Sequence, residues 1–288
     1  SQIGGRDAIE ARLAGRASEM VSIRQKIRAV ADTNADLLIV GATGTGKEVA
    51  ARALHRASAR RDQPFVAINC AALPADLLES ELFGHEAGAF PGAARARYGK
   101  FEHARGGTIF LDEIDSLSQP MQAKLLHADQ NREVTRLGSN DPVSLDDRFV
   151  AASKKDLEKA AANGHFRSDL LYRLNVVTIT LPDLPERPEH SPPLFVHLVE
   201  EASPRDKRAV PDIPGAVLNR LIARDWPGNV RELRNAAERL VLQLDLDIGT
   251  APSDEGTRLS EQLARHEKSL IAAAITSQGG SLKATYEA

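Results

Sequence analysis

The 288-residue sequence contains one cysteine, few aromatic residues and no apolar run long enough to cross a bilayer. The lone Cys70 cannot form an intramolecular disulfide, which excludes a disulfide-stapled secreted domain and fits a reducing cytosol. Aromatic residues are only 4% of the chain, so the core must be mainly aliphatic. Because neither a membrane span nor a signal peptide is evident, we expect a cytoplasmic protein with no membrane contact.

The charge balance gives no sign of a chain-wide nucleic-acid surface. The formal net charge is −3, whereas such a surface requires a basic field. A small local DNA-binding module remains compatible with this balance. The eight histidines lack paired metal-ligand spacing, so no histidine-based metal site is expected. The length accommodates one large domain or two smaller ones.

The chain is organised around a short apolar run that ends in a glycine-rich turn. Residues 37–40 predict a strand, and residues 48–54 predict a helix. Strand, glycine loop, lysine and helix follow one another as in a loop that binds nucleotide phosphates. Backbone N–H groups and the helix N-terminus bind phosphate in such loops, and Lys47 would reach the β- and γ-phosphates. The predicted nucleotide-binding residues of this turn are Gly41, Ala42, Thr43, Gly44, Thr45, Gly46, Lys47 and Glu48.

The alternative to a nucleotide site at residues 41–48 is an ordinary glycine-rich turn between a strand and a helix. The order of the elements favours the nucleotide site. Glu48 stands where Ser or Thr normally offers a hydroxyl to Mg²⁺.

Adjacent carboxylates follow a second apolar run, residues 106–115. In phosphate-loop NTPases the first acid, here Asp112, holds Mg²⁺, and the next, Glu113, can act as a general base toward water. An acidic strand end alone is a weak signal, and the phosphate loop upstream strengthens it. A third run, residues 64–70, predicts a buried strand that brings Asn69 toward the phosphates. A capping role for Asn69 is the alternative.

Other segments carry weaker signals. Phe90 lies on a glycine-hinged loop, which suggests contact with a partner unless the ring tucks into the core. Arg167 and Arg173 could reach two points of one phosphate cluster or be surface ion-pair residues. Asp129 falls on the apolar face of a helix predicted over residues 118–130, where burial would be costly.

The second part of the chain predicts helices. A proline-rich stretch, 182–193, predicts a linker or a domain boundary. Helices are expected at 194–202, 215–225 and 229–244, with Asn229 capping the last of them. An acidic linker and one further long helix follow, at residues 245–256 and 259–278.

In this order the motifs resemble those of one family, the AAA+ activators of sigma-54 RNA polymerase, or bacterial enhancer-binding proteins. The resemblance covers residues 13–245, and 259–288 more weakly. The matching motifs are Walker A at 41–48, where Glu48 is usual, the family signature at 79–90, Walker B at 107–115, the arginine-finger region at 166–174 and sensor II at 226–233.

The resemblance implies residue roles. Lys47 would bind phosphates, Asp112 would hold Mg²⁺, and Glu113 would activate water. Asn69 would restrain Glu113 until the partner engages. The further implied site residues are the trans-acting arginine fingers Arg167 and Arg173, the sensor I residue Ser153 and the sensor II residue Arg231.

The family fold implies an α/β architecture with a parallel sheet between helices, a small helical lid and a partial helix-turn-helix. We expect a linker remnant at 1–12, an ATPase subdomain at 13–182, a lid at 183–245, a linker at 246–258 and a partial Fis-type DNA-binding domain at 259–288. The recognition helix would lie beyond residue 288, and a receiver or sensor domain would precede the chain. The family function is ATP hydrolysis in a ring, typically a hexamer, by a response-regulator-type activator bound to enhancer DNA.

The implied contact with sigma-54 lies in one loop, whose residues are Gly88, Ala89, Phe90, Pro91, Gly92 and Ala93. Pro91 replaces the family threonine, so an N–H and a hydroxyl are lost. Residues 127–129 also replace a more apolar helix segment. Two alternatives therefore remain: an ATP-binding regulator that has lost remodelling, and a remodeller of another protein.

Overall fold

The computed structural model describes residues 18–244 and 246. The predicted linker remnant at 1–12, the linker at 246–258 apart from Leu246, and the predicted DNA-binding segment at 259–288 lie outside the described residues.

Strands and helices alternate through the first part of the described chain. The strands are β1 (Leu37–Val40), β2 (Phe65–Asn69), β3 (Gly84–His85), β4 (Arg97–Tyr98), β5 (Thr108–Asp112), β6 (Glu133–Thr135), β7 (Pro142–Ser144), β8 (Arg148–Ser153) and β9 (Val177–Thr180). The helices are α1 (Ser18–Ala31), α2 (Lys47–Ala57), α3 (Ala75–Phe83), α4 (Lys100–Ala104), α5 (Gln119–Asn131), α6 (Leu157–Ala162), α7 (Ser168–Leu174), α8 (Ser191–Arg205), α9 (Gly215–Ala223) and α10 (Asn229–Val241).

Five strands form one parallel sheet in the order β2-β5-β8-β1-β9. Its central strands are apolar on both faces, as expected when helices cover both sides. Leu37 and Ile39 pack in a core with α1 and α2, whereas Leu38 faces the opposite core with α3, α4, α5 and α7. This arrangement confirms the predicted α/β fold. Two short antiparallel hairpins, β3-β4 and β6-β7, lie outside the main sheet.

The strand predicted at residues 64–70 is present as β2, but the prediction that it is buried is wrong. β2 is an edge strand whose Phe65 and Val66 are half-buried and whose Ala67 is exposed. A short apolar run cannot distinguish a central from an edge strand, because hydrophobicity does not reveal the number of neighbouring strands. Cys70, just after the strand, is buried, and burial raises the pKa of its thiol to about 12.

Of the two alternatives for residues 182–193, a linker or a boundary, the linker is wrong. Two 3₁₀ turns, Leu184–Glu186 and Pro188–His190, lead directly into α8. Pro192 and Pro193 lie in the first turn of that helix, where a missing N–H costs no hydrogen bond. The prolines therefore mark the start of the helical part of the chain, which is compatible with the boundary alternative, and they do not form a linker.

The helices α8, α9 and α10 form the predicted lid. Phe195, Val199 and Leu233 are completely buried in it. Trp226 is also buried, and its indole N–H donates to the carbonyl of Leu221 at 2.8 Å. This bond satisfies the one polar group of the ring. Together these buried side chains form the core of the lid.

A buried arginine joins α1 to the sheet. The guanidinium of Arg148 in β8 donates to the carbonyls of Ala31 and Val30 at 2.9 Å each, and to that of Ala35 at 3.2 Å. Burial lowers the pKa of Arg148 to about 10. The cation lies at the C-terminus of α1, where the helix dipole favours positive charge.

We therefore expect Arg148→Met to destabilise the fold, because it leaves buried carbonyls without donors. The loss in unfolding free energy should be about 2–3 kcal/mol, the usual contribution of charged hydrogen bonds. Urea denaturation measures it, with Lys26→Met on the exposed face of α1 as the control. Equal loss in both variants would show that the three bonds contribute nothing.

Candidate nucleotide-binding site

The phosphate loop connects the carboxyl end of β1 to the start of α2. The N–H of Gly41 donates to the carbonyl of Ser153 at 3.2 Å, which holds the loop against β8. Gly46 precedes α2 with φ of 99°, a left-handed conformation that favours glycine. No side chain caps this helix start. The N–H groups of the first turn are therefore directed toward a ligand, as in an anion site at a helix N-terminus.

Lys47 is folded over this loop. Its Nζ atom donates to the carbonyls of Gly41 at 2.8 Å and Ala42 at 3.0 Å. Burial lowers the pKa of Lys47, and the nearby carboxylates of Asp112 and Glu113 oppose that shift. Within the described part of the chain, these two carbonyls are the hydrogen-bond partners of the ammonium group, and phosphate oxygens would balance its charge.

The acidic residues end β5 beside this lysine. Burial raises the pKa of Asp112, while the N–H of Glu113, which donates to its Oδ1 at 2.9 Å, and Lys47 oppose the rise. Glu113 has φ of 53°, an uncommon left-handed conformation for a residue with a side chain. Its carboxylate accepts a hydrogen bond from Nζ of Lys154 at 2.6 Å. That bond raises the pKa of Lys154.

Asn69 lies next to this pair without a bond to Glu113. The register of β2 and β5 places Asn69 opposite Asp112. Its side-chain oxygen accepts from the N–H of Ala71 at 2.8 Å, as in the capping alternative. Among the described residues, Lys154 takes the position of hydrogen-bond donor to Glu113 that the resemblance gave to Asn69. The restraining role of Asn69 remains a prediction.

Ser153 is completely buried at the end of β8. Its hydroxyl lies 3.1 Å from Oδ1 of Asp115 and 2.9 Å from the carbonyl of Lys155. Ser153 therefore shapes the turn that carries Lys154, and it is Lys154 that presents a charge to the site. The resemblance places Ser153 and Lys154 at the sensor I position, but it did not indicate their partners Asp115 and Glu113, because each pair depends on the adjacency of β5 and β8.

The lid contacts the phosphate loop through the start of α10. A Cβ atom on Gly44 would lie 2.4 Å from the carbonyl of Gly228 and 3.2 Å from Cβ of Arg231. Gly44 has φ of 83°, so both conformation and space require glycine there. The Cβ atom of Arg231 thus lies directly above the loop, on the helix that the sensor II resemblance indicated.

The predicted capping role of Asn229 is wrong. Gly228 occupies the cap position, and Asn229 itself is left-handed with φ of 53°. Its Oδ1 accepts from the N–H of Leu184 at 2.7 Å, and its Nδ2 donates to the carbonyl of Thr43 at 3.2 Å. The side chain thereby joins the lid to the phosphate loop. A partner 186 residues away gave the sequence no local signal.

The two predicted finger arginines bond to carboxylates away from the loop. Arg167 forms a two-point ion pair with Asp169, at 3.0 and 2.6 Å. Arg173 lies against Asp129, with Nε 2.5 Å from Oδ2. Their roles in trans remain predictions.

The Phe90 loop projects from the β3-β4 hairpin. The N–H of Gly88 donates to the carbonyl of Ala93 at 2.8 Å, which closes the loop. Phe90 is 37% exposed and its ring contacts only the edge of His85 among the described aromatic rings, so it does not tuck into the core. Pro91 is exposed at the tip. The loop therefore presents an apolar side chain at the surface.

An arginine anchors the base of this loop. Arg136 binds both carboxylate oxygens of Glu102 at 2.7 Å and Glu86 at 2.8 Å, and it lies over the ring of Tyr98. A Cβ on Gly138 would lie 2.9 Å from that of Ala89. The Phe90 loop is thus packed on the segment between β6 and β7, so movement there would reach it.

A phosphate loop beside an acidic strand end, with a helical lid above it, defines a AAA+ type of P-loop NTPase. The Sigma-54 interaction domain family matches residues 13–180, and the AAA+ ATPase lid domain family matches residues 185–251. The chain belongs to the sigma-54 interaction family of AAA+ ATPases.

Two relatives show the extent of the similarity. The chain is 51% identical over 287 residues to the C4-dicarboxylate transport transcriptional regulatory protein DctD of Pseudomonas aeruginosa, covering 98% of this chain and 62% of that protein. It is 46% identical over 279 residues to the transcriptional regulatory protein ZraR of Escherichia coli, covering 93% and 63%. The chain thus spans about three fifths of the length of these curated relatives.

Among solved structures, NtrX from Brucella abortus in complex with ADP superposes with a TM-score of 0.74 at 32% identity, covering 95% of this chain and 66% of that one. In the part of the chain that the structure describes, no helix is long and apolar enough to span a membrane.

The bridge made by Asn229 leads to a prediction. Asn229→Gly removes the side chain and keeps the left-handed backbone accessible. Losing its buried bonds should cost about 1–3 kcal/mol and weaken ATP binding roughly tenfold, because the lid is no longer joined to the loop. Urea denaturation and fluorescent-nucleotide titration measure the two effects. Gln243→Gly, at an exposed left-handed position, is the matched control, and equal behaviour of both variants would refute the bridge.

Proposed function

We propose that this chain hydrolyses ATP and uses the free energy to remodel sigma-54 RNA polymerase, so that promoter DNA opens and transcription begins. The observation that carries the proposal is the convergence of Lys47, Asp112, Glu113 and Arg231 on one phosphate loop. Family membership supports it, and the similar NtrX has been solved with ADP and with ATP.

ATP would bind with its phosphates on the N–H groups of residues 43–48 and on Nζ of Lys47. The ammonium group exchanges the carbonyls of Gly41 and Ala42 for phosphate oxygens. Arg231 adds a cation from the lid, so that the lid position depends on the nucleotide. Glu113 takes a proton from the attacking water as general base.

The chain's residues fit Mg²⁺. Asp112 supplies a carboxylate beside Lys47, and the described residues contain no cluster of three or more metal-ligating side chains. This suits a cation held by one or two carboxylates together with substrate phosphates and water. When bound, Mg²⁺ would neutralise charge on the β- and γ-phosphates.

Control of Glu113 is the second part of the proposal. Asn69 restrains Glu113 until the partner engages, a role supported by its register opposite Asp112. In the free chain Lys154 holds the same carboxylate. Ser153 keeps this lysine in place through the turn that it stabilises. Glu113 therefore needs to exchange partners before it can activate water.

The active assembly is a homo-oligomeric ring, a hexamer in this proposal. Arg167 and Arg173 reach the nucleotide of the neighbouring subunit, where a guanidinium stabilises the charge on the transferred phosphoryl group. Their location on and before α7, bonded to carboxylates and not to their own phosphate loop, supports action across an interface. An ATPase subdomain at 13–182 and a lid at 183–245 form each protomer.

Output passes through residues 88–93. Nucleotide-dependent movement reaches this loop through the Arg136 anchor, and exposed Phe90 contacts sigma-54. The whole protein would be a cytoplasmic response-regulator-type activator that binds enhancer DNA through a C-terminal Fis-type domain, of which residues 259–288 form a part. Exposed Pro91 favours one second candidate, an ATP-binding regulator that has lost remodelling. Nothing in the comparisons favours remodelling of another protein.

Lys47→Ala tests the nucleotide site. Removing the ammonium group that is folded over the loop should raise the Kd for ATP by about a hundredfold or more, since the phosphates lose a charged partner. Isothermal titration and ATPase assays measure the change, with Lys26→Ala as the control on α1. Retained tight binding would place the nucleotide elsewhere.

Pro91→Thr tests the output. Restoring an N–H and a hydroxyl at the loop tip should raise open-complex formation several-fold at unchanged ATPase rate, because the contact gains two hydrogen-bonding groups. Footprinting of promoter DNA with sigma-54 polymerase measures it, and Pro142→Thr in the exposed β6-β7 hairpin is the control. Steady ATP hydrolysis without open complexes in wild type and variant would favour the second candidate.

A further inference from the structure

Arg173 lies against two carboxylates that water does not reach. Its Nε is 2.5 Å from Oδ2 of Asp129 in α5, and its Nη2 is 3.6 Å from Oδ2 of Asp36. The side chains of Asp129 and Asp36 are 0% and 3% exposed, whereas that of Arg173 is 37% exposed. Arg173 thus spans from a buried acidic pair to the surface.

Arg132 completes this cluster and has other partners. Its Nη2 lies 3.2 Å from Oδ1 of Asp129 and 3.6 Å from Asp36. Its Nη1 also donates to the carbonyl of Asp147 at 3.0 Å, and its guanidinium lies over the ring of Phe149. Two arginines therefore balance two buried acids, and Arg132 is the one fixed by additional contacts.

Burial of a carboxylate is unfavourable unless cations and hydrogen bonds compensate for it. Burial, with a smaller contribution from Asp129, raises the pKa of Asp36 to about 6. A buried helix position is filled more simply by an apolar side chain. The placement of Asp129 therefore calls for a role beyond filling the core.

The geometry of the bond indicates that role. Asp129 binds the inner Nε, which fixes the plane of the guanidinium group. Among the described residues, Nη1 of Arg173 has no hydrogen-bond acceptor. A planar fork held at its base and open at its outer nitrogen is preorganised to bind an oxygen of another molecule.

We propose that Asp129 is a positioning residue for Arg173: it holds the guanidinium in the orientation in which Nη1 meets the γ-phosphate bound by the neighbouring subunit. The inference rests on the proposed trans role of Arg173. Arg132 keeps Asp129 charged when Arg173 engages the phosphate, so the buried carboxylate never stands alone. Without Asp129 the arginine must be ordered anew in every catalytic cycle.

The test uses the 288-residue chain and compares four variants: Asp129→Asn, Asp129→Leu, Arg173→Gln and the double variant Asp129→Asn/Arg173→Gln. Asp129→Asn should lower kcat for ATP hydrolysis about tenfold, with KM and nucleotide Kd within about twofold, because only transition-state contact is affected. The double variant should be no slower than Arg173→Gln alone, because Asp129 acts through Arg173. Glu201→Gln, which removes the acid paired with Arg234 on the lid surface, should behave as wild type.

Asp129→Leu distinguishes a loss of kcat caused by misplaced Arg173 from one caused by a destabilised fold. It fills the helix position without leaving an unpaired polar group, and it should reproduce the loss in kcat at unchanged or higher melting temperature. A loss that follows the melting temperature in both variants, or one that adds to that of Arg173→Gln, would mean that Asp129 is only structural.

Mixed assemblies give a second readout. Glu113→Gln protomers cannot activate water but carry an intact Arg173 and Asp129, so mixing them with Asp129→Asn protomers should restore several-fold hydrolysis at the latter's sites. Absence of rescue overturns the inference. If Arg173→Gln itself hydrolyses at the wild-type rate, the trans role fails; if it is inactive while Asp129→Asn is normal, only the positioning role fails.

Discussion

At the carboxyl edge of the sheet one buried ammonium group faces three carboxylates, and the whole site depends on that balance. Lys47 loses solvation there, while Asp112, Glu113 and Asp115 keep its charge favourable. The same acids would repel phosphates, so in the proposed function ATP binding needs the lysine, the helix N-terminus and Mg²⁺ to act together. A site of mixed charge accepts a metal-bound triphosphate better than a bare anion.

The parallel order of the strands creates this meeting point. β1 carries the loop, β5 the acids and β8 the turn with Lys154, and these three strands are adjacent. Ligands of α/β sheets gather at the carboxyl ends of strands because the side chains there are not covered by helices. The lid adds Arg231 and Asn229 from above, so the phosphate loop and the lid are physically linked.

The features that the sequence predicted correctly are those that short contiguous patterns determine. The apolar run with its glycine turn, the acidic strand end and the helical spacing of the lid gave the fold and the central residues, because each is a short contiguous pattern. It could not predict pairings between distant segments. Asn229 with Thr43, Lys154 with Glu113 and Asp129 with Arg173 all depend on how elements pack.

Two other errors have local causes. The prolines of residues 182–193 suggested a linker, yet proline fits the first turn of a helix as well as a connection. The run at β2 is as apolar as a central strand, yet β2 lies at the edge of the sheet and has a neighbouring strand on one side only.

The environment of Cys70 has a practical consequence for spectroscopy. Its thiol is enclosed behind the edge strand, and its high pKa leaves almost no thiolate near neutrality. Since this is the chain's sole sulfhydryl, maleimide dyes or spin labels attached to a cysteine introduced in the lid or near the Phe90 loop would react there selectively. Distances between such labels could then be followed through the nucleotide cycle on an otherwise native background.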